Sequence, residues 1–533
     1  MPSSLQDYSW WQTGIIYQIY PRSFQDTTGN GTGDLRGIIQ RLDYLQGLGV
    51  QAIWLSPIFT SPMHDFGYDI ADYTGIDPLF GSMADFDELL EQTHQRGMKL
   101  ILDLVPNHSS DQHAWFQESR ASRDNPKRDW YIWKDAKGSG SDRQVPNNWQ
   151  SVFGGTAWEW DEATQQYYYH AFLKEQPDLN WRNPEVQEAM LGVMRFWLDK
   201  GVDGFRVDVI WHLGKDEQFR DNPPNPDYQA GEPDEKRYLR VYSEDQPIVH
   251  DLVADMRQLV DRYDDRLLIG EIYLPLDRLL TYYGENNDGV HLPFNFQLIL
   301  MDWQADQIYA YINRYEGSLS SNDWPNWVLG NHDQPRIVSR TSEAQARLAA
   351  VLLLTLRGTP IMYYGDEIGM HDVDVPPDRR QDMKNTESDT NRDPQRTPMQ
   401  WNDEPYAGFS SVEPWLPVPD DYAQRNVVQQ QEGADTMLSF YQRLIKLRQQ
   451  EPALQVGEFV PVGLQNQLMA YQRVYQNQKI LVLINFGQEE ATYQLEEGKG
   501  ELLLSTSEKA EDLSVESSIN VGGEEALVVK PSD

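Results

Sequence analysis

The chain has 533 residues, of which 83 are Asp or Glu and 45 are Lys or Arg, giving a formal net charge of −38. Such an acidic surface is unsuited to nucleic acid, whose phosphates need basic patches, and to anionic membranes; it reads as a solvated acidic exterior, suited to a salty milieu. There is no cysteine, which excludes disulfides, thiolate metal sites and cysteine catalysis. At about 150 residues per domain, the length predicts several domains or one barrel with additions. The start, Met1 to Trp11, lacks a basic segment followed by an apolar one, and no run approaches the roughly 18 apolar residues of a membrane helix. The expectation is a soluble, cytoplasmic protein, a monomer or small homo-oligomer, with no nucleic-acid or membrane partner.

In chain order, strands alternate with helices. Gly14 to Tyr20 reads as a buried strand, and residues 37–49 carry Ile38, Leu42, Leu45 and Leu48 at helical spacing before a Gly49 stop. Ala52 to Pro57 is a second strand, Ser82 with Asp85 is a capping box opening a helix to Gly97, and Lys99 to Asp103 is a third strand. From Leu104 to Gln176 the rhythm breaks into a Trp-, Asp-, Asn- and Gly-rich stretch without a helical repeat, read as an inserted domain. Asn183-Pro184 then opens a helix through Trp197 to Gly201. Strand four follows, then a polar, Pro-rich loop over 213–246, a helix from Ile248 to Tyr263, and strand five from Leu267. Strand six is expected over His291 to Gln297, strand seven over Asn326 to Gly330, a helix over Ala344 to Leu356 and strand eight over Thr359 to Tyr364.

Eight βα units predict a (β/α)8 barrel formed by 1–103 and 177–450, with 104–176 inserted after strand three and an irregular, charged region over 366–432. A last barrel helix spans Met437 to Gln449. Beyond it the period becomes two, at Leu468 to Val474, Ile480 to Phe486, Ala491 to Leu495, Glu501 to Ser505 and Ala526 to Val529, with a hairpin turn at Gln476 to Gln478. Residues 451–533 are therefore expected to form an antiparallel β-sandwich.

The strand ends carry the chemistry. In Gly204 to Asp208, Phe205 and Val207 alternate with Arg206 and Asp208, so the guanidinium and the carboxylate project to one side. Leu267 to Glu271 and Trp327 to Asp333 are further apolar runs that close on an acid. Side chains at the carboxyl ends of barrel strands converge on the catalytic face. Asp208, Glu271 and Asp333 are thus expected on one rim, and three convergent carboxylates suit glycosidic bond cleavage; 17 Trp and 28 Tyr offer aromatic faces for sugar.

Asp103 to His108, Gly204 to Asp208, Gly270-Glu271 and Asn331 to Asp333 resemble, in order, the four signature regions of the α-amylase superfamily, glycoside hydrolase family 13. Gln176 to Asn180 and Asn391 to Trp401 resemble markers of its oligo-1,6-glucosidase and α-glucosidase group. The resemblance implies a retaining mechanism with Asp208 as nucleophile, Glu271 as general acid and then base, and Asp333 as the acid that grips sugar hydroxyls. It implies that Arg206 holds Asp208 ionised and that His108 and His332 donate to hydroxyls of the non-reducing glucose. Tyr68 is the implied platform under that sugar, Phe172 the wall from the inserted domain, and Asp65 with Arg392 the pair that closes the pocket's end, which permits only exo attack. Val209, next to the nucleophile, resembles the residue that accompanies α-1,6 cleavage in that group, although the following Ile210-Trp211-His212 departs from its pattern.

One constellation lies elsewhere. Asp26, Thr28, Asn30, the Thr32 carbonyl and Asp34 are spaced two apart in a Gly-rich loop, as in an EF-hand-like site for Ca²⁺ or Mg²⁺. The twelfth position is Gly37 instead of a bidentate Glu, and a metal-free Asn-Gly turn is the alternative. The expected function is an exo-acting retaining α-glucosidase on small α-glucosidic oligosaccharides. Glucosyl transfer or isomerisation and a non-catalytic scaffold are the competing classes.

Overall fold

In the computed structural model, which describes residues 4–229, 231–382, 391–507 and 513–532, eight short strands carry the architecture. They are β1 (Ile16–Ile19), β2 (Ala52–Leu55), β3 (Lys99–Leu104), β4 (Gly204–Val207), β5 (Leu267–Gly270), β6 (Leu292–Pro293), β7 (Asn326–Val328) and β8 (Thr359–Tyr363). The hydrogen-bonded order is β6-β5-β4-β3-β2-β1-β8-β7, every pairing parallel. Between β6 and β7 one side chain bridges the seam: Asn326 accepts from the Asn295 N–H at 3.0 Å and donates to the Pro293 carbonyl at 2.6 Å. This is the (β/α)8 barrel.

Both faces of the sheet are buried, which is why its strands read as nearly continuous apolar runs. Ile16, Trp54, Ile101, Ile269, Val328 and Ile361 fill the barrel, while Tyr17, Ile53, Leu100, Phe205, Leu268 and Met362 meet the helices. Strand β4 differs, because its inward positions are Gly204 and Arg206. A Cβ at Gly204 would lie 2.3 Å from the Leu267 carbonyl oxygen, so only glycine lets β4 approach β5 this closely.

The helix signals hold where local chemistry decides. The Asn183 side chain accepts from the Glu185 N–H, Pro184 opens the helix Pro184–Lys200, and Gly201 ends it at φ 104°. Ser82 and Asp85 form the expected capping box. The helix expected over 37–49 instead starts earlier and breaks into Leu35–Gln40 and Leu42–Leu48 at Arg41. Arg41 is drawn out by tertiary partners, the Gln25 side chain at 2.9 Å and the Trp401 ring at 4.0 Å. Strand six is shorter than expected, since Pro293 has no N–H for the ladder and Asn295 spends its N–H on Asn326.

Within 104–176, Trp133–Lys134, Gln166–Tyr169 and Trp158–Asp161 form a three-stranded antiparallel sheet with Gln166–Tyr169 in the middle. Its aromatic core holds Trp149, Trp158, Tyr167 and Tyr169. A helix at Ala114–Ala121 escaped the sequence reading; His113, an unusual cap, accepts from Trp115 N through its ring. The Pro-rich loop after β4 docks on this unit: the Asn148 side chain donates to the Asn222 carbonyl and accepts from the Asn222 N–H, and Trp149 Nε1 donates to the Arg220 carbonyl. Residues 383–390 of the irregular 366–432 region lie outside the described residues.

The C-terminal strands join one antiparallel ladder in the order Glu458–Gln465, Leu468–Tyr475, Gln478–Asn485, Glu525–Pro531, Ala491–Ser505, Leu513–Val521. The expected β-sandwich is therefore one continuous sheet. Its two faces are both buried: Met469, Tyr471, Ile480 and Val482 join the barrel's core, and Leu468, Leu481, Leu483 and Val521 form a second cluster. Two segments expected as separate strands are one, Ala491–Ser505, bent where the register shifts between Gln494 and Lys499. Buried arginines fasten the sheet to the barrel. Arg473, on the sheet, donates to the carbonyls of Thr355, Leu454 and Gly457, and Arg448, on the last barrel helix, to those of Leu354, Gly358 and Leu454. Among the described residues no helix is long and apolar enough to cross a membrane.

Candidate active site

The carboxyl ends of β3, β4 and β5 meet at Arg206, a side chain only 1% exposed. Its Nη1 lies 2.7 Å from both Asp103 Oδ1 and Asp208 Oδ1, and its Nη2 lies 2.7 Å from Glu271 Oε2. Three acids thus share one guanidinium. Burial and the neighbouring Glu271 carboxylate push the Asp208 carboxyl well above the usual range, against the pull of Arg206, and the two carboxyls are close enough to hydrogen-bond. In a low-dielectric site a carboxylate beside a second acid is costly to keep charged, which is the sense of the Asp208 shift. Glu271 Oε2 accepts a second bond, from the Val209 N–H at 2.8 Å. Val209 reaches it from a left-handed conformation, φ 37° and ψ 46°, which is costly for a β-branched residue.

A directed hydrogen-bond chain runs behind this cluster. Gln18 Nε2 donates to His332 Nδ1 at 2.8 Å, which leaves Nε2–H for the Tyr68 hydroxyl oxygen at 2.7 Å; Tyr68 O–H then donates to Asp103 Oδ2 at 3.0 Å. The Tyr68 and His332 rings are parallel, 5.4 Å apart. Burial pushes the Asp103 carboxyl up to about 6 even beside Arg206. Burial and nearby guanidiniums push His332 down to about 3, so it is a neutral imidazole.

Asp333 sits at the end of β7's extension. Its Oδ1 accepts from Arg396 Nη2 at 2.7 Å and from Arg392 Nη1 at 3.0 Å. Arg392 also binds Asp65 Oδ1 at 2.9 Å and Asp382 Oδ2 at 2.8 Å. The expected Asp65–Arg392 pair is thus an ion pair, in a larger acidic cradle.

The inserted unit supplies the opposite wall. Phe172 packs between the rings of His108, 5.2 Å away, and His212, 5.3 Å away. His108 Nδ1 accepts from Asn107 Nδ2 at 3.1 Å and Nε2 faces the Tyr68 carbonyl at 3.1 Å; burial pushes the ring down to about 4. Beneath it Lys215 joins Asp178 at 2.7 Å, Asn107 Oδ1 at 2.9 Å and the His212 carbonyl. That ammonium locks the barrel to the insertion. Tyr68 takes the Nε2–H of both His108 and His332, so a sugar hydroxyl reaching either histidine competes with it.

The sequence reading missed Asp103, Gln18, Arg396 and Lys215. Arg396 had a signal, lying four residues past Arg392 in the same motif. Asp103 closes an apolar strand exactly as Glu271 does. Lys215 had none, because its two side-chain partners, Asn107 and Asp178, come from distant segments.

The Gly-rich first loop is remote from these groups in its bonding. Asp26 Oδ1 accepts from Thr28 N and Gly29 N, and Oδ2 from Gly31 N and Ser410 Oγ, all at 2.6 to 2.9 Å. Asp34 caps the helix Leu35–Gln40 through Gly37 N and accepts from Thr27 N, while Asn30 Oδ1 accepts from Thr32 N. Asp26 has therefore already used its acceptor sites. A cation at Asp26, Thr28, Asn30, Thr32 and Asp34 would have to share or displace those donors. Among the described residues no group of three or more His, Asp or Glu side chains is arranged to hold a metal ion.

An eight-stranded barrel that gathers three acids on one guanidinium at its carboxyl rim is the framework of a glycoside hydrolase. Residues 18–457 match the family described as the alpha amylase catalytic domain, and residues 468–523 match the SusG C-terminal domain. The chain belongs to the α-amylase family. It is 43% identical to an alpha-glucosidase of Culex pipiens over 85% of this chain and 77% of that one. It is 40% identical to an oligo-1,6-glucosidase of Halalkalibacterium halodurans over 90% of each. Among solved structures, the isomaltulose synthase SmuA from Protaminobacter rubrum is similar with a TM-score of 0.90 and 34% identity, over 99% of this chain and 100% of that one.

Proposed function

We propose that the protein is an exo-acting, retaining α-glucosidase that releases glucose from the non-reducing end of short α-glucosides of the maltose, isomaltose or sucrose type. The observation that carries this reading is the placement of Asp208 and Glu271 on a shared Arg206. With Glu271 Oε2 engaged by Arg206 and the Val209 N–H, Oε1 is the oxygen left to deliver a proton to the glycosidic oxygen. Asp208 attacks the anomeric carbon as the bond to the leaving sugar breaks, and the Glu271 proton passes to the departing oxygen. In the second step Glu271 takes a proton from water, whose oxygen displaces Asp208 and restores its carboxylate. Asp333, gripped by Arg392 and Arg396, binds sugar hydroxyls and favours the flattened, oxocarbenium-like state. The Asp65–Arg392 pair closes the far end, which supports exo attack.

The identities to the alpha-glucosidase and the oligo-1,6-glucosidase support hydrolysis. The likeness to an isomaltulose synthase supports a second reading, in which the departing sugar and not water takes the glucosyl group. Incubation with a matched panel of maltose, isomaltose, sucrose and trehalose separates them. Hydrolysis predicts stoichiometric free glucose; a rearranged disaccharide as main product overturns it.

A further inference from the structure

We propose that a cleft at the opposite end of the barrel from Asp208 and Glu271 is a second, non-catalytic binding site for a neutral mono- or disaccharide. Trp324 lies just before β7 and Arg357 just before β8, so both sit at the amino ends of the strands, whereas the carboxyl ends carry the site described above. The helix Ala305–Ser318 brings Glu316 to them, and the edge strand Glu458–Gln465 of the C-terminal sheet brings Phe459. The cleft between these elements measures about 660 Å³, the size of a small-molecule site.

Its aromatic lining is fixed before any ligand arrives. The Tyr8 and Trp324 rings meet with centroids 5.8 Å apart at 57°, and Phe459 is backed by the fully buried Tyr471 ring at 5.3 Å. Trp324 spends its indole N–H on Thr359 Oγ1 at 3.1 Å, whereas the Tyr8 and Phe459 side chains stay partly exposed. Rigid rings of this kind offer apolar area at little entropic cost, and the C–H faces of a sugar pack on them.

Beside the rings stand polar groups that the fold leaves unused. Arg357 Nε donates to Glu316 Oε2 at 2.8 Å, which fixes the plane of the guanidinium. Among the described residues, neither terminal amino group of Arg357 has a hydrogen-bond partner, and neither does the Tyr8 hydroxyl. The Glu316 side chain is 8% exposed, and its Oε1 is buried without a donor. An acceptor left in that state costs free energy until a donor reaches it. A guanidinium fork, a phenol and a bare carboxylate oxygen together match neighbouring sugar hydroxyls, each of which both donates and accepts. Charge decides against an anion. Glu316 already neutralises Arg357, and Asp323 and Glu458 line the same cleft, so a neutral ligand is favoured.

The test is equilibrium dialysis of maltose against Asp208→Asn, which leaves the sugar uncleaved, and against the same protein carrying Tyr8→Ala or Arg357→Gln. Each cleft variant is expected to bind one maltose fewer per chain than Asp208→Asn alone. Tyr8→Ala removes a partly exposed ring and leaves the Arg357–Glu316 pair in place, so it reads the cleft even if Arg357→Gln fails to fold. With Asp208 intact, Tyr8→Ala is expected to leave kcat on p-nitrophenyl α-glucoside unchanged, since the cleft lies at the far end of the barrel. Equal maltose binding with and without Tyr8→Ala overturns the proposal, and so does uptake of inorganic phosphate at the cleft in place of maltose. If the active site itself does not take maltose, the total falls by one in every protein while the difference made by Tyr8→Ala persists; that result counts against the α-glucosidase reading and supports the second site.

Discussion

Arg396 holds Asp333 twice over: Nη2 donates to Asp333 Oδ1 at 2.7 Å, and Nε donates to the carbonyl of the preceding His332 at 2.7 Å. Arg396 is fully buried, with its guanidinium 5.3 Å from the Tyr20 ring and 5.6 Å from Phe66. Arg392 reaches the same oxygen, but it is shared with Asp65 and Asp382. Arg396 therefore sets where Asp333 points.

Replacing it by Lys keeps the charge and loses the two-pronged geometry. Arg396→Lys is expected to lower kcat on the order of 10²-fold, as misplacement of a group acting on the transition state does, with KM changing far less. Steady-state kinetics check this. A rise in KM at unchanged kcat would show Asp333 acting in ground-state binding alone.

Asp208 is a liability to the fold. Its carboxyl is raised by burial and by Glu271, so the folded protein holds a proton that the unfolded chain releases near pH 4. A group raised in this way contributes fully below the unfolded pKa and loses that contribution as pH rises through the folded value. Asp208→Asn should abolish turnover, since an amide cannot form the ester intermediate, and should raise the melting temperature, with a gain that grows from pH 4 toward neutral. Each pKa unit of elevation is worth about 1.4 kcal/mol. Calorimetry at several pH values measures it; a pH-independent difference would contradict the raised carboxyl.

Much of this was legible because the determinants are local. Asn183, Pro184 and Gly201 bracket one helix with a cap, a fixed φ and a left-handed stop, all short-range effects. Strands buried on both faces announce themselves as apolar runs. Asp208 and Glu271 meet, as their positions at strand ends led one to expect, because the barrel places those ends together. What escaped depends on distant partners: the Arg41 break needs Gln25 and Trp401, and the Lys215 lock needs Asn107 and Asp178. Strand Glu458–Gln465 was hidden by Pro461 and Gly463, residues that an exposed edge strand tolerates. Strand Leu513–Val521 was hidden by its polar Ser514 to Asn520 stretch.

The first loop supports itself through Asp26, Asp34 and Ser410. A Ca²⁺ ion held there at a hundred times its dissociation constant would add about 2.7 kcal/mol by linkage. From the geometry, neither added Ca²⁺ nor EDTA is expected to move the melting temperature measurably. A fall of several degrees on chelation, restored by Ca²⁺ or Mg²⁺, would show that the loop reorganises around an ion.

Val209 presents its buried side chain beside Asp208 while its N–H holds Glu271. Val209→Thr keeps the volume and adds a hydroxyl, whose hydrogen bond is worth on the order of 1 kcal/mol. The wild type is expected to cleave isomaltose, and the variant to shift the isomaltose-to-maltose ratio of kcat/KM about fivefold toward maltose. If the wild type splits maltose and ignores isomaltose, the loop that anchors Trp211 and His212 through Glu244 becomes the better determinant.

The central claim is double displacement through Asp208, with Glu271 protonating the leaving group and then activating water. Proton NMR of the glucose released in the first minutes of hydrolysis, before mutarotation, reads it directly. The account predicts that α-glucose appears first and β-glucose grows in only at the rate of mutarotation. Initial release of β-glucose would mean direct attack by water, and would contradict it.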